Sequence, residues 1–196
     1  MHPALNPLAL HDQIARHVLQ GVVGAWAALE LVIRARGGGP RNARDWTYLV
    51  GVAGAAAGIG VAVGLARVRA TVLGGGWTPV VFGLALILSG AAFRLRSMLT
   101  LGRLFTFTIS IQAEHAVVTR GPYRFVRHPG YAGWLVGLIG TGVALDNWLS
   151  LLAILVLPPL GVLVRIHEEE AMLERALGDD YRSYAARTRR LVPGVW

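Results

Sequence analysis

The chain has 196 residues, of which 54% are hydrophobic and 15% are charged, and its formal net charge is +8. This composition, with a mean hydropathy of +0.51, excludes an ordinary soluble domain and is typical of a small polytopic membrane protein. The chain contains no cysteine, which excludes disulfides, a thiol nucleophile and thiolate metal ligands, and we expect no metal site.

Five apolar segments predict transmembrane helices and therefore an all-α fold. In chain order they cover residues 18–33, 46–66, 77–93, 131–145 and 148–164. Only Asp146 and Asn147 separate the last two segments, which predicts a tight helical hairpin over 131–164. A bilayer core requires about 20 helical residues, so we expect neighbouring helices to support the shorter segments.

The apolar segments contain one acid and two glycine pairs that need an explanation. Glu30 precedes Arg34 by one helical turn, which predicts an ion pair within the helix rather than a proton relay. Glycines four residues apart allow helix backbones to approach closely, so we expect the second segment to pack through them. The pairs are Gly54 with Gly58 and Gly60 with Gly64.

The arginines predict an orientation in the membrane. All 19 basic residues are arginine, and five alternating spans with an internal C-terminus place 16 of them on one side. Arg16, Arg67 and Arg69 fall on the other side. The positive-inside rule then places the C-terminus and the segment after the third helix in the cytoplasm. We expect the basic tail to contact anionic lipid and not nucleic acid.

Two polar clusters stand out as candidates for chemistry. The first is the segment 121–131, and the second is the run of three acids 168–170 that follows the last apolar segment. Pro129 disfavours helical backbone at His128, so its ring is expected on a turn. The first cluster is also compatible with a loop that anchors to headgroups. Arg165 and Glu169 share a helical face with Met172 and Leu173, either as an ion pair or as part of a site for a cationic ligand.

The stretch between the third helix and this first cluster alternates apolar and polar residues over 105–109. This pattern is typical of an extended segment, which we expect at the membrane surface.

Several motifs in order and spacing resemble the isoprenylcysteine carboxyl methyltransferase family, over roughly residues 94–193. They are Leu101-Gly102-Arg103, Phe105-Thr106, Gly121-Pro122-Tyr123, Arg127-His128-Pro129 with Tyr131 and Gly133, Asn147-Trp148, Arg165-Ile166 with Glu169-Glu170, and Leu177-Gly178 with Tyr181 and Tyr184. The resemblance divides the chain into N-terminal helices over 1–93 and a catalytic region over 94–196.

The resemblance implies an integral membrane methyltransferase that uses S-adenosylmethionine (SAM). The cofactor pocket would face the cytoplasm, formed by the loop after the third helix and the C-terminal helices. Substrate contacts would come from Arg165, which together with Glu169 would be catalytic, and from Arg127. The implied cofactor contacts are Gln112, His115, Ala116, Val117, Val118, Tyr123, His128, Pro129, Gly130, Tyr131, Glu169 and Glu170. Gly130 stands where many relatives have serine.

The chemistry of SAM suits these residues. Glu169 can pair with an ammonium group, and Tyr123 or Tyr131 can pack on adenine or on the sulfonium. A carboxylate acceptor is already ionised at neutral pH and needs only to be oriented by Arg165. A thiol or phenol acceptor would need a base, for which His115, His128 and His167 are candidates, and the residues do not decide between them.

The acceptor is expected to be a lipophilic small molecule or a prenylated substrate that enters from the bilayer. Two other functions remain open. One is an NAD(P)H-dependent membrane reductase of the sterol-reductase kind, which would need further cations for a 2′-phosphate. The other is a non-catalytic membrane scaffold. The sequence leaves the oligomeric state open.

Overall fold

The computed structural model describes residues 12–36, 46–105, 116–194 and 196. These residues form five α-helices: α1 Gln13–Arg36, α2 Trp46–Leu65, α3 Trp77–Leu101, α4 Pro129–Ala144 and α5 Trp148–Arg187. Short 3-10 turns cover Arg69–Thr71, Gly102–Leu104 and Gly121–Arg124. Within the described ranges, extended pairing is limited to isolated bridges, so the predicted all-α class is confirmed.

Four stretches of the described chain are long and apolar enough to cross a membrane. They are Gln13–Arg34, Trp46–Leu65, Trp77–Leu104 and Trp148–Arg187. Helix α4 has 16 residues, fewer than the about 20 that cross a bilayer core unaided. The count of five spans therefore stays a prediction.

Helix α5 continues well beyond residue 164, where its apolar pattern ends. Its 40 residues correspond to about 60 Å of helix, roughly twice the thickness of a bilayer core. Glu, Ala, Leu and Arg sustain the helix after the apolar stretch because all four favour helix. Gly178 interrupts it with a φ of 53°, a conformation that glycine adopts without steric penalty. The polar half of α5 thus extends out of the bilayer core.

Glycine contacts hold the helices together in two pairs. A Cβ atom at Gly90 of α3 would lie 2.5 Å from the carbonyl oxygen of Gly133 in α4, so these backbones touch. Helices α2 and α5 approach in the same way, since a Cβ atom at Gly58 would lie 2.9 Å from Pro158. The packing predicted for Gly58 is confirmed. At Gly60 and Gly64 a Cβ atom would have no described neighbour within 4 Å, so the packing predicted for that pair is wrong.

The α4–α5 turn is anchored to the loop between α2 and α3. The buried Asp146 carboxylate accepts hydrogen bonds from the backbone N–H groups of Gly74 and Gly75, both at 3.0 Å. The side chain of Asn147 caps α5 by accepting from Ser150 N at 3.1 Å. The predicted tight hairpin is confirmed, although α4 begins at Pro129 rather than Tyr131.

The predicted ion pair between Glu30 and Arg34 is wrong. Glu30 instead accepts two hydrogen bonds from Arg94 of α3, one of them from Nη2 at 2.8 Å. The Arg34 guanidinium lies 3.8 Å from the ring centroid of Tyr48. The prediction failed because spacing along one helix identifies only partners on that helix, whereas the Glu30 side chain faces α3.

Candidate active site

A pocket lies between the C-terminal end of α3, the segment 116–131 and the polar half of α5. These three parts of the chain, together with the turn 102–105 that follows α3, supply all of its described lining. Its residues are Leu101, Leu104, Phe105, Ala116, Val117, Val118, Tyr123, Arg127, His128, Gly130, Tyr131, Arg165, Glu169, Met172, Leu173, Leu177, Tyr181 and Tyr184. The two polar clusters that are distant in sequence therefore meet around one cavity.

Most of the predicted site residues line this pocket. Those that do are Ala116, Val117, Val118, Tyr123, Arg127, His128, Gly130, Tyr131, Arg165 and Glu169. Pro129 and Glu170 lie beside the pocket rather than in its lining. Gln112 and His115 lie outside the described residues, as does 106–109 of the stretch expected to be extended. The roles of all these residues stay predictions.

The hydroxyl of Tyr131 connects the two charged residues of the predicted site. It accepts a hydrogen bond from Arg165 Nε at 2.6 Å and donates one to Glu169 Oε2 at 2.7 Å. Arg165 is buried and also donates to Thr47 Oγ1 of α2 at 3.3 Å. Arg165 and Glu169 are thus held one turn apart with a hydroxyl between them, an arrangement that spacing along α5 alone does not predict.

His128 lies on a turn, as its position before a proline predicted. Its backbone has φ −122° and ψ 57°, and Pro129 occupies the first turn of α4. The imidazole is buried and stacks on Tyr131 with the ring centroids 5.7 Å apart. The backbone N–H of His128 donates to the carbonyl of Arg190 at 3.0 Å. The C-terminal tail therefore helps to hold the His-Pro turn in place.

Glu170 connects the His-Pro turn to the C-terminal tail. Its carboxylate accepts hydrogen bonds from Arg127 Nε at 2.8 Å and Arg190 Nε at 2.9 Å, and lies 3.2 Å from His128 Nε2. Partial burial favours a higher pKa for Glu170, but the hydrogen bonds from His128, Arg127 and Arg190 outweigh it and lower the pKa to about 2. Glu170 is a structural anchor in this arrangement.

Two tyrosines after Gly178 complete the pocket. Tyr184 donates its hydroxyl proton to the carbonyl of Tyr123 at 2.7 Å. Tyr181 is buried and lines the pocket, but its hydroxyl has no hydrogen-bond partner among the described residues. The sequence reasoning included both in a motif without assigning them a role. The sequence signal that could have identified them is their spacing: two tyrosines three residues apart after a glycine lie on one helical face.

Residues 83–175 match the model of the isoprenylcysteine carboxyl methyltransferase (ICMT) family. This part of the chain is similar to the ICMT family. The matched range contains Tyr131 and the two α5 residues that share its hydroxyl, but it ends before Tyr181.

Proteins with ICMT names are similar to this chain over 121 residues. Protein-S-isoprenylcysteine O-methyltransferase B of Arabidopsis thaliana is 39% identical over 61% of this chain and 61% of its own length. A probable protein-S-isoprenylcysteine O-methyltransferase of Oryza sativa subsp. indica is 36% identical, and the match covers 63% of it. The protein of that name from Xenopus laevis is 34% identical over 42% of its length. The chain thus spans less than two thirds of these relatives.

The fold is shared with a solved ICMT structure. The eukaryotic intramembrane Ras methyltransferase ICMT superposes with a TM-score of 0.57 at 21% sequence identity, covering 90% of this chain and 68% of that one. With the apolar helices described above, this likeness identifies the chain as an integral membrane protein with the ICMT fold.

Proposed function

We propose that this protein is a SAM-dependent methyltransferase that methylates the carboxylate of a lipophilic acceptor, such as an isoprenylcysteine. The observation that carries the proposal is the Arg165–Tyr131–Glu169 arrangement, in which a buried cation and a carboxylate face one pocket through a shared hydroxyl. The names of the ICMT relatives support the reaction and the acceptor class.

The described residues fit SAM by their chemistry. The Glu169 side chain, which is 30% exposed, would pair with the ammonium group of the aminoacyl end. Tyr123 and the stacked rings of His128 and Tyr131 offer aromatic surfaces for the base or the sulfonium. Gln112 and His115 would add the contacts that the family resemblance implies. When bound, SAM supplies a methyl group on a positively charged sulfur, which makes that carbon electrophilic.

Arg165 would hold the acceptor carboxylate. Its side chain is buried and its direction is fixed by Tyr131 and Thr47, so a carboxylate paired with it would be oriented before the reaction. An ionised carboxylate needs no general base, and the protein accelerates transfer by placing it in line with the methyl carbon. Apolar lining residues such as Leu101, Met172 and Leu173 exclude water, which favours a step that neutralises charge.

We further propose that five helices cross the bilayer and that the pocket faces the cytoplasm. Sixteen of the 19 arginines would lie on that side. The pairing of the α2–α3 loop with the α4–α5 turn through Asp146 supports this topology, because both connections would then lie at the opposite membrane surface. Helix α4 would cross with support from α3, its closely packed neighbour.

Binding and transfer assays on the full chain in lipid nanodiscs test the function. We expect saturable binding of S-adenosylhomocysteine, and transfer of a labelled methyl group from SAM to an N-acylated S-farnesylcysteine. The matched acceptor with its carboxylate converted to an amide should accept no label. Absence of SAM-dependent transfer together with NADPH binding would favour a reductase, and absence of all binding would favour a scaffold.

Two arginine variants of α5 test whether the acceptor carboxylate binds where we propose. Arg165→Gln should raise the KM for the farnesylated acceptor at least about tenfold, the effect of losing a charge-assisted hydrogen bond, while S-adenosylhomocysteine still binds. Arg175→Gln removes an exposed arginine from the same helix and should leave both values unchanged. Equal acceptor KM values for the two variants would contradict the assignment.

A further inference from the structure

The Tyr181 hydroxyl is a buried polar group with no partner in the part of the chain that the structure describes. The residue is 6% exposed, and its side chain lines the pocket. Buried hydroxyls in folded proteins nearly always have a hydrogen-bond partner, because a hydroxyl removed from water without one is destabilising. A buried hydroxyl at a pocket wall that has no partner among the described residues is therefore available to a bound ligand.

The neighbouring tyrosine, which lines the same pocket, does have a hydrogen-bond partner in the protein. Tyr184 lies one turn later and donates to the Tyr123 carbonyl at 2.7 Å. The two rings are in contact range, with centroids 6.2 Å apart. Tyr184 thus has a structural hydrogen bond, while Tyr181, in the same pocket, has its hydroxyl available.

The charged side chains of the described pocket lining already have protein partners. Arg165 and Glu169 share the Tyr131 hydroxyl. Arg127 donates to Glu170 at 2.8 Å and to the carbonyl of Ala185 at 2.8 Å. These charged groups are held in position by the protein, whereas no described residue fixes the direction of the Tyr181 hydroxyl proton.

We propose that the Tyr181 hydroxyl hydrogen-bonds the nucleoside portion of the adenosyl cofactor, an inference that rests on the proposed function. The nearest lining residues along α5 are Leu177 and Tyr184, an apolar and aromatic corner that suits a flat purine. The ammonium group of the aminoacyl end requires a charged partner, and Glu169 lies on α5 on the other side of the Gly178 break. A tyrosine hydroxyl can both donate and accept, as the edges of a purine and a ribose require.

The protonation state of Tyr181 suits this role. Burial raises its pKa above the ordinary value, and the negative charge of Glu170 raises it further while Arg127 opposes the change. The hydroxyl therefore keeps its proton throughout the physiological range and remains a donor.

Tyr181→Phe tests the proposal because it removes only the hydroxyl. Without ligand, the variant should unfold at the same or a higher temperature than the wild type, since no hydrogen bond to a described residue is lost. Its dissociation constant for S-adenosylhomocysteine should rise about tenfold, the effect of one hydrogen bond. The same factor should appear with 5′-methylthioadenosine, which keeps the nucleoside and lacks the aminoacyl group. Tyr184→Phe is the control, and it should lower the unfolding temperature without ligand.

Each other outcome overturns the proposal in an identifiable way. Unchanged dissociation constants would show that the hydroxyl contacts no ligand, and a loss with S-adenosylhomocysteine alone would assign it to the aminoacyl end. Reduced stability of ligand-free Tyr181→Phe would show that the hydroxyl has a protein partner. Failure of the wild type to bind S-adenosylhomocysteine would instead refute the proposed function, and the inference with it.

Discussion

Glu30 of α1 and Arg94 of α3 form a bidentate ion pair inside the helix bundle. Their side chains are 20% and 10% exposed, respectively. Arg94 Nη1 donates a third hydrogen bond, of 2.9 Å, to the carbonyl of Gly130, which lines the pocket. Glu30 precedes the part of the chain that matches the family model, so a residue outside that part supports the wall of the candidate site.

The variant Glu30→Gln should destabilise the protein because Arg94 then keeps its charge in a buried position without a counter-charge. Breaking a buried pair from one side costs about 3–5 kcal/mol. Thermal unfolding in detergent should show a marked decrease in melting temperature, and S-adenosylhomocysteine should bind less tightly because the Gly130 carbonyl loses a fixed partner. Glu174→Gln is the matched control, since Glu174 pairs with the exposed Arg182 and such a pair contributes about 0–1 kcal/mol. Equal shifts for the two variants would refute the supporting role of Glu30.

The variant Tyr131→Phe should slow transfer more than it weakens binding. It removes the hydroxyl that accepts from Arg165 and donates to Glu169 but keeps the ring that stacks on His128. Misplacing groups that align two reactants reduces the rate by up to about 100-fold, so we expect kcat to fall by 10- to 100-fold.

Steady-state kinetics with the farnesylated acceptor, together with S-adenosylhomocysteine titration, check this prediction. The dissociation constant of the wild type and that of the variant should agree within about threefold. A variant whose kcat is unchanged would show that the bridging hydroxyl is structural.

The helices could be predicted from the sequence because they depend on local patterns, whereas the pocket residues were implied by the family resemblance. Apolar runs locate all five helices, and the His128-Pro129 pair locates a turn since proline restricts the preceding residue. The apolar pattern of the last segment ends at residue 164 although α5 continues to Arg187, because hydropathy reports where a helix leaves the membrane and not where it ends.

The contacts between distant residues could not be predicted in the same way. Glu30 and Arg94 are 64 residues apart, and Arg165 and Tyr131 are 34 apart, so the choice of partner depends on how helices pack. Helical periodicity favoured the nearest opposite charge, which was Arg34 for Glu30. The sequence also does not reveal that the Tyr181 hydroxyl lacks a partner among the described residues, because this depends on which residues the fold places around it.

The Glu170 carboxylate should make stability depend on pH in the acidic range. Its pKa is lowered from 4.5 to about 2 in the folded protein, so its contribution is fully present above pH 4.5 and is lost as the pH falls from 4.5 towards 2. Glu170→Gln should reduce the melting temperature at pH 7, because Arg127, His128 and Arg190 lose a shared acceptor. The difference between the melting temperatures of wild type and variant should decrease as the pH falls from 4.5 to 3. A difference that is constant over this range would contradict the assignment.

Close backbone contact between α3 and α4 should make Gly90 intolerant of a side chain. A Cβ atom there would lie 2.5 Å from both the carbonyl oxygen of Gly133 and the amide nitrogen of Gly137, and backbone atoms can yield only if the helices separate. Gly90→Ala should therefore lower the melting temperature although alanine favours helix by about 1 kcal/mol over glycine. Gly60→Ala on α2 meets nothing within 4 Å and should be neutral or slightly stabilising.

Separation of α3 from α4 should also change the geometry of the candidate active site, because Gly133, which contacts α3, lies in the same turn of α4 as Tyr131. Moving α4 away from α3 displaces the Tyr131 hydroxyl relative to Arg165 on α5, and the 2.6 Å hydrogen bond between them allows little displacement. We therefore expect Gly90→Ala to reduce methyl transfer at temperatures where the protein is still folded, whereas Gly60→Ala retains full activity. Loss of stability with unchanged kcat would show that the α3–α4 contact supports the fold without positioning Tyr131.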